Sequence, residues 1–308
     1  MHIPHIPVLQ EEVSIIFDNL TQGVFLDCTL GYAGHSKMIL KKHPEISLVG
    51  CDQDKTALEF SSHILREFKD RIILHHCNFN EILDKVDIKN IRGILADIGV
   101  SSLQLDQNKR GFSINSDFLD MRMDQDKSLS AFEVVNFYSQ DKLTFILKEY
   151  GELSDAWNLA QKIIQARNKK QITSAKELKE IIGFSKVSSR KIQKATLVFQ
   201  AIRIEVNKEL EVLKEFLTQI ENLKLQNCIL AIISFHSLED RIVKNFFKKW
   251  EKKCICDDKM FKCECNKNNN LGKIINKKVI TPKQDEINLN PRSSCAKLRA
   301  FYFNNMDF

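Results

Sequence analysis

The chain has 308 residues, 43% of them hydrophobic and 28% charged, and 46 Lys and Arg against 40 Asp and Glu leave a formal net charge of +6. That composition is typical of a folded globular protein and excludes a disordered or collagen-like chain. The length accommodates one large domain or two modest ones, and the mild basic excess fits a polyanionic partner without requiring one.

Nine cysteines is an odd number, which favours a reduced, cytoplasmic protein over a disulfide scaffold. The opening MHIPHIPVLQEE lacks a basic n-region and an apolar h-region, so no signal peptide is expected. The longest apolar run, Cys228–Phe235, is too short to span a bilayer, so no membrane association is expected.

Val24–Ser36, VFLDCTLGYAGHS, sets the frame. It passes from a strand-like apolar run through Asp27 into a turn carrying Gly31 and Gly34, then into a helix with Met38, Ile39 and Leu40. A buried strand, a glycine turn and a helix start form a nucleotide-binding corner, where backbone can approach a ligand and the helix offers free N–H groups. The spacing is G-x-x-G, not the dinucleotide fingerprint G-x-G-x-x-G. An acid at the strand end suits a ligand with a cationic amino-acid end, such as S-adenosylmethionine, better than a pyrophosphate. The same stretch also reads as an ordinary strand-to-helix turn.

Further along, Ser47–Asp52, Arg71–Cys77 and Gly93–Asp97 read as apolar strands, and Ser36–Lys42 and Lys55–Phe68 as helices between them. Alternating strands and helices imply a parallel sheet covered on both faces. From about Leu105 to Arg203 no strand is apparent. Ser130 with Glu133, and Ser174 with Glu177, form capping-box patterns in this helical stretch. Glu205–Leu223 is amphipathic, Cys228–Phe235 is a fifth strand, Glu239–Lys253 a helix, and Lys297–Phe303 an edge strand. The expected organisation is therefore a split α/β domain, residues 1–104 and 205–308, with an all-helical insert at 105–204.

Ligands of open parallel sheets bind outside the carboxyl ends of the strands. Polar residues stand at all five such ends: Asp27 with the Gly31–His35 turn, Asp52, Asn78 with Phe79, Asp97 followed by Ile98–Ser102, and Phe235–Arg241. Asp52 can accept ribose hydroxyls or cap a helix. Phe79 can pack on a purine or belong to the core. Ser237 and Asp240 resemble an N-cap pair, and His236 is either a proton acceptor or a structural histidine.

Cys254-Ile255-Cys256 and Cys263-Glu264-Cys265, two C-x-C pairs six residues apart in a lysine-rich loop, can close on zinc or remain reduced thiols. The metal is left open at this point.

The strings HIPVLQEEV, DCTLGYAGHS, DIGVSSLQLD, RGFS, LDMRMD, FQAIRIEVNKEL, ISFHSLEDRIVK and NPRSSCAKLR run nearly from end to end. On these the sequence resembles the bacterial 16S ribosomal RNA cytosine-N4 methyltransferase family, which uses S-adenosylmethionine. The resemblance implies a class I methyltransferase-like (Rossmann-like) α/β sheet with an inserted helical domain. It also implies cofactor contacts from Ala33, Gly34, His35, Asp52, Phe79, Asp97 and Gln104, the last on the resemblance alone. One cytidine of the decoding region of 16S ribosomal RNA, in the small subunit, is the implied substrate. The family usually has more glycine where Tyr32 and Ala33 stand, so the turn is expected to be narrower here.

Transfer of a methyl group to an amine is an in-line displacement, in which positioning dominates. Asp97 is the expected hydrogen-bond acceptor for the amino group, with the backbone carbonyls of Ile98–Val100 as the alternative. His236 is the expected base, with water as its alternative. A flipped base would meet Phe112, Phe118 and Met121, with Arg110 and Arg122 on phosphates, unless these residues only tie the insert to the sheet. Lys169, Lys170, Arg190, Lys191 and Lys194 would form an RNA-facing basic surface on the insert, or simply a solvated face. Two other functions compete. A nucleotide-dependent oxidoreductase needs the glycine pattern this chain lacks, and a non-catalytic RNA-binding ribosome-assembly factor would bind small subunits without consuming cofactor.

Overall fold

The computed structural model describes residues 7–184, 193–254, 256, 265 and 269–303, with backbone alone at 102 and 103. Two compact units make up the chain: Met1–Gly99 with Val212–Phe308, and Val100–Glu211.

The first unit is built on a sheet of β1 (Gly23–Asp27), β2 (Ile46–Asp52), β3 (Ile72–His76), β4 (Ile91–Asp97), β5 (Cys228–Ser234), β6 (Gly272–Ile274) and β7 (Lys297–Phe303). Their order is β3-β2-β1-β4-β5-β7-β6. The first five strands are mutually parallel, and β7 runs antiparallel to both β5 and β6. This is the class I methyltransferase arrangement of a Rossmann-like sheet, in which the order reverses beside β1. Helices α1 (Gln10–Ile16), α2 (Gly34–Lys42) and α3 (Lys55–Ile64) belong to its front half.

Side-chain alternation explains why the centres of β1, β2, β4 and β5 are apolar. Phe25, Leu48, Leu95, Ala231 and Ile233 enter one core layer, and Leu26, Val49, Ile94, Leu230 and Ile232 enter the other. With both faces of these strands covered, polar residues concentrate towards their ends. The acids then appear together: Asp27, Asp52 and Asp97 are the last residues of β1, β2 and β4.

The second unit is helical among its described residues. It holds α4 (Ser102–Asp106), α5 (Ala131–Phe137), α6 (Gln140–Glu149), α7 (Ala156–Arg167), α8 (Ala175–Ile182) and α9 (Lys194–Asn207), and α10 (Glu209–Leu223) begins in it. Both expected capping boxes form, at Ser130 with Glu133 and at Ser174 with Glu177. Its core gathers Val134, Val135, Ile146, Leu147, Leu159, Ile163, Leu178, Val198 and Ile202. The first unit is completed by α11 (Ser237–Glu251) and α12 (Gln284–Leu289). No helix among the described residues is long and apolar enough to cross a membrane.

Three sequence expectations are corrected. Lys297–Phe303 is not an edge strand: it lies between β5 and the three-residue β6. A Cβ on Gly272 would stand 1.9 Å from the Tyr302 carbonyl oxygen, so β6 reaches β7 only because that residue is glycine. The helix expected over Lys55–Phe68 stops at Ile64 and continues as a 3₁₀ turn over Arg66–Arg71. The helix expected from Glu205 is broken at Lys208, which sits in the left-handed region at φ 52° between α9 and α10.

A left-handed conformation costs an L-residue roughly 1–2 kcal/mol, partly offset here by the extra freedom glycine loses on folding. Lys208 is exposed. Lys208→Gly is therefore expected to stabilise the protein by up to about 1 kcal/mol, read as a higher urea midpoint, and Lys208→Val to lower it.

Candidate active site at the strand ends

The turn after β1 is held from below by Asp27. Its carboxylate is 2% exposed. Oδ1 accepts the Thr29 N–H at 3.1 Å and Oδ2 accepts the Ser36 hydroxyl at 2.5 Å. Asp27 therefore braces the turn against the first turn of α2. Two of its acceptor positions are engaged in this bracing. Gly31 and Ala33 both take left-handed backbone, at φ 50° and 56°. Ala33 does so where a glycine would be unstrained, and its N–H closes on the Leu30 carbonyl at 2.6 Å. Gly34 has an ordinary φ, but a Cβ there would lie 2.4 Å from Pro7. Tyr32 turns aside to meet the Phe60 ring edge-on, with centroids 4.7 Å apart.

Asp52 joins the second strand to this turn. Its Oδ2 accepts the Gly31 N–H and its Oδ1 the Asp54 N–H, both at 2.9 Å. A carboxylate has about four acceptor positions, so Asp52 is fixed in place and still able to take hydroxyl donors. Helix α3 is capped by Asp54, whose side chain accepts the Thr56 N–H, and not by Asp52. At the end of β3, Asn78 accepts the Phe79 N–H at 2.8 Å and donates to the Gln53 side chain at 3.3 Å. The half-buried Phe79 ring packs edge-on against Phe216 at 5.3 Å.

Asp97 ends β4. Its N–H donates to the Thr29 hydroxyl at 2.7 Å. One carboxylate oxygen, Oδ2, lies 3.9 Å from Nε2 of the buried His35. The other, Oδ1, is buried and has no hydrogen-bond partner among the described residues. A buried acceptor without a donor is costly, on the order of 1–3 kcal/mol, and such a group marks where a ligand's donor fits. Burial pushes the Asp97 carboxyl up to about 7, with the nearby negative charges of Asp27 and Glu239 adding to it. Burial also pushes Asp27 up to about 6, against the Ser36 and Thr29 hydrogen bonds, and Asp52 up to about 6, against the Asp54 and Gly31 N–H groups.

His236 follows β5 and is the N-cap of α11, one residue earlier than the Ser237 and Asp240 pattern suggested. Its Nδ1 accepts the Glu239 N–H at 3.4 Å, and its Nε2 lies 3.1 Å from Glu239 Oε1. Glu239 in turn accepts the N–H groups of Phe235 and His236. Both ring nitrogens thus face one buried carboxylate residue. Asp240 instead forms a paired contact with Arg299 on β7, at 2.6 and 3.2 Å.

The first unit therefore brings together Ala33, Gly34, His35, Asp52 and Asp97, with Phe79 beside them at the next strand end. Gln104 lies in the second unit, buried on α4, where its side chain accepts the Ser101 N–H. Sequence reasoning missed Thr29, Ser36 and Ser61, whose hydroxyl donates to the Gly31 carbonyl at 2.6 Å. It also missed Glu239 as a cap, although its spacing three residues after His236 is the capping-box signal.

In the second unit, Arg110 donates to the Arg122 and Met123 carbonyls. Arg122 pairs side-on with Asp120 and donates to the Gln125 and Lys127 carbonyls. Both guanidiniums tie the loop together, the structural one of the two roles open to them from the sequence. Phe112 and Met121 are core residues, while Phe118 is 45% exposed. Lys170 and Lys194 are paired with Glu177 and Asp155. Arg190 and Lys191 lie outside the described residues.

The donor set fits S-adenosylmethionine. Three carboxylates held above their ordinary range favour a cation, one buried oxygen lacks a donor, and the turn exposes backbone at the α2 N-terminus.

Two outcomes follow. A raised folded-state carboxyl contributes stability below its unfolded value, near pH 4, and loses it as pH rises through about 7. Asp97→Asn is therefore expected to be more stable than wild type at pH 8 by roughly 1–2 kcal/mol, with the difference shrinking as pH falls and vanishing only below about pH 4, as read by urea denaturation without cofactor. His236→Ala is expected to cost about 1–3 kcal/mol, because it removes a cap and strands Glu239. His236→Asn, which keeps a capping oxygen, should recover most of that in the same measurement.

Residues 2–304 match the family model described as the MraW methylase family. The Ribosomal RNA small subunit methyltransferase H of Campylobacter jejuni subsp. jejuni serotype O:6 (strain 81116) is 62% identical over 308 residues, covering 100% of this chain and 99% of that one. The proteins of the same name from Campylobacter lari and Campylobacter curvus are 60% and 53% identical over 304 residues, covering 98% of this chain and 100% and 98% of theirs. With a family match across both compact units and relatives this similar over their whole length, the chain belongs to the MraW methylase family.

Proposed function

We propose that this protein transfers a methyl group from S-adenosylmethionine to the N4 amino group of one cytidine in the decoding region of 16S ribosomal RNA, in the small subunit, in the cytoplasm. The observation that carries the chemistry is Asp97: a half-buried carboxylate whose buried Oδ1 has no hydrogen-bond partner among the described residues, beside His35 at the end of β4.

Ala33, Gly34, His35, Asp52, Phe79 and Asp97, with Gln104 from the second unit, are the residues proposed to hold the cofactor. When bound, S-adenosylmethionine supplies an electrophilic methyl group on a sulfonium. Asp52, fixed by the Gly31 and Asp54 N–H groups, keeps lone pairs for the ribose hydroxyls. Phe79, braced by Phe216, offers a ring face near the end of β3.

The exocyclic amine of cytosine is a poor nucleophile because its lone pair is delocalised into the ring. An acceptor on one amino hydrogen draws the nitrogen towards sp³ and releases that lone pair. Asp97 Oδ1 suits that role, and a carboxyl near 7 can also receive the proton the amine loses. His236 fits a positioning role better than that of a base, because the lone pair of Nδ1 already accepts the Glu239 N–H.

The reading is tested with labelled cofactor and small subunits from a strain lacking this protein. Wild type should label one cytidine. Asp97→Ala and Asp97→Asn should lose about 10²-fold or more in rate, and His236→Asn should stay within about tenfold of wild type. Full transfer by Asp97→Asn would remove the mechanism. Binding of small subunits by wild type with no label incorporated would replace the enzyme by an assembly factor.

A further inference from the structure

Seven of the described cysteines fall into two groups of different character. Cys28, Cys51, Cys77 and Cys228 are buried in or beside the sheet, where a thiol behaves as a small apolar side chain. Cys254, Cys256 and Cys265 are half-buried, lie after α11, and bring their sulfurs within 4.8 Å of one another. The Cys254 and Cys265 sulfurs are 3.6 Å apart. Sulfurs around a tetrahedral zinc ion, at about 2.3 Å each, stand about 3.8 Å from one another, whereas a disulfide needs about 2.05 Å. The Cys265 thiol donates to Cys254 at 3.6 Å, and the same separation suits thiolates converging on a shared ion.

The surrounding backbone holds the thiols in place. The Asn269 N–H donates to the Lys253 carbonyl at 3.1 Å, and its side chain donates to the Cys265 carbonyl at 2.9 Å. The Leu271 N–H donates to the Trp250 carbonyl at 2.8 Å, and the Ile274 N–H to Glu251 at 3.0 Å. Both ends of the excursion between α11 and β6 are thus pinned side by side. A packed apolar cluster does not account for three half-buried thiols meeting in a stretch that reads Lys252, Lys253, Lys259, Lys262 and Lys267 in sequence.

We infer that Cys254, Cys256 and Cys265 bind a structural zinc ion that staples the α11-to-β6 loop. Each ligating thiol gives up its proton on binding. Thiolate softness selects zinc over magnesium or calcium. Cys263, the remaining member of the two C-x-C pairs, lies outside the described residues.

The full-length protein, purified under reducing conditions without metal-affinity resin, should carry about one zinc per chain by elemental analysis. A mercurial thiol reagent should release it in step with loss of thiols. Cobalt(II) added to the chelator-stripped protein should give intense thiolate-to-metal charge-transfer absorption. The double variant Cys254→Ser/Cys256→Ser should lose the zinc, and Cys295→Ser, altered at an exposed cysteine away from the cluster, should keep it. Absence of zinc in wild type together with no cobalt charge-transfer band overturns the inference, as does full zinc retention by the double variant. Wild type that holds no metal and has lost two titratable thiols to a disulfide overturns it equally. None of these readings depends on methyl transfer, so the inference stands or falls apart from the proposed activity.

Discussion

The buried carboxylate of Asp27 is the constraint from which the site follows. Its two oxygens bind a backbone N–H two residues on and a hydroxyl nine residues on. That fixes where β1 stops, how the turn climbs, and where α2 begins. Gly31 then points its N–H at Asp52, and Thr29 receives the N–H of Asp97. Three parallel strand ends are linked through one turn, and none of the linking groups is free to move without leaving a buried polar atom unmatched.

This arrangement concentrates negative charge in a poorly solvated place. Burial is the largest cause for each acid, and the charges of Asp27 and Glu239 add to it at Asp97, as those of Asp54 and Asp27 do at Asp52. A fold that stabilised only itself would replace such groups with apolar ones. In the proposed reading a cation binds there: a sulfonium and an ammonium on one small molecule would relieve the repulsion and favour the charged form of the carboxylates. Binding and ionisation would then be coupled in the site.

Much of this was legible in the sequence because strand ends in a doubly covered sheet are the first positions where a polar residue is tolerated. The five parallel strands, the glycine turn and the acids Asp52 and Asp97 all follow from that rule. Where reading failed, the cause was interaction across sequence distance. The bracing role of Asp27 stayed hidden because its partner Ser36 leaves no trace in the local pattern. Arg110 and Arg122 looked like phosphate binders because a guanidinium directed at backbone carbonyls and one directed at solvent share the same letter. Lys208 breaks a helix without disturbing the apolar periodicity on either side. Strand β6, three residues long, is visible only through the close approach that Gly272 permits. His236 was singled out by its place after β5, but its role depends on Glu239, which was read only as the start of the following helix.

The sheet order carries a consequence for biogenesis. Strand β4 pairs with β5, yet the second unit, Val100–Glu211, stands between them in the chain. A nascent polypeptide leaving the ribosome exposes β1 to β4 with one margin of the sheet open, and that margin stays open until residues 228–234 emerge. The helical segment, uninterrupted in sequence and rich in local contacts, meanwhile has everything it needs to collapse by itself. Closure of the catalytic sheet is thus a late event in translation, and its exposed β4 border is the place where a chaperone or a neighbouring chain would find a template during that delay.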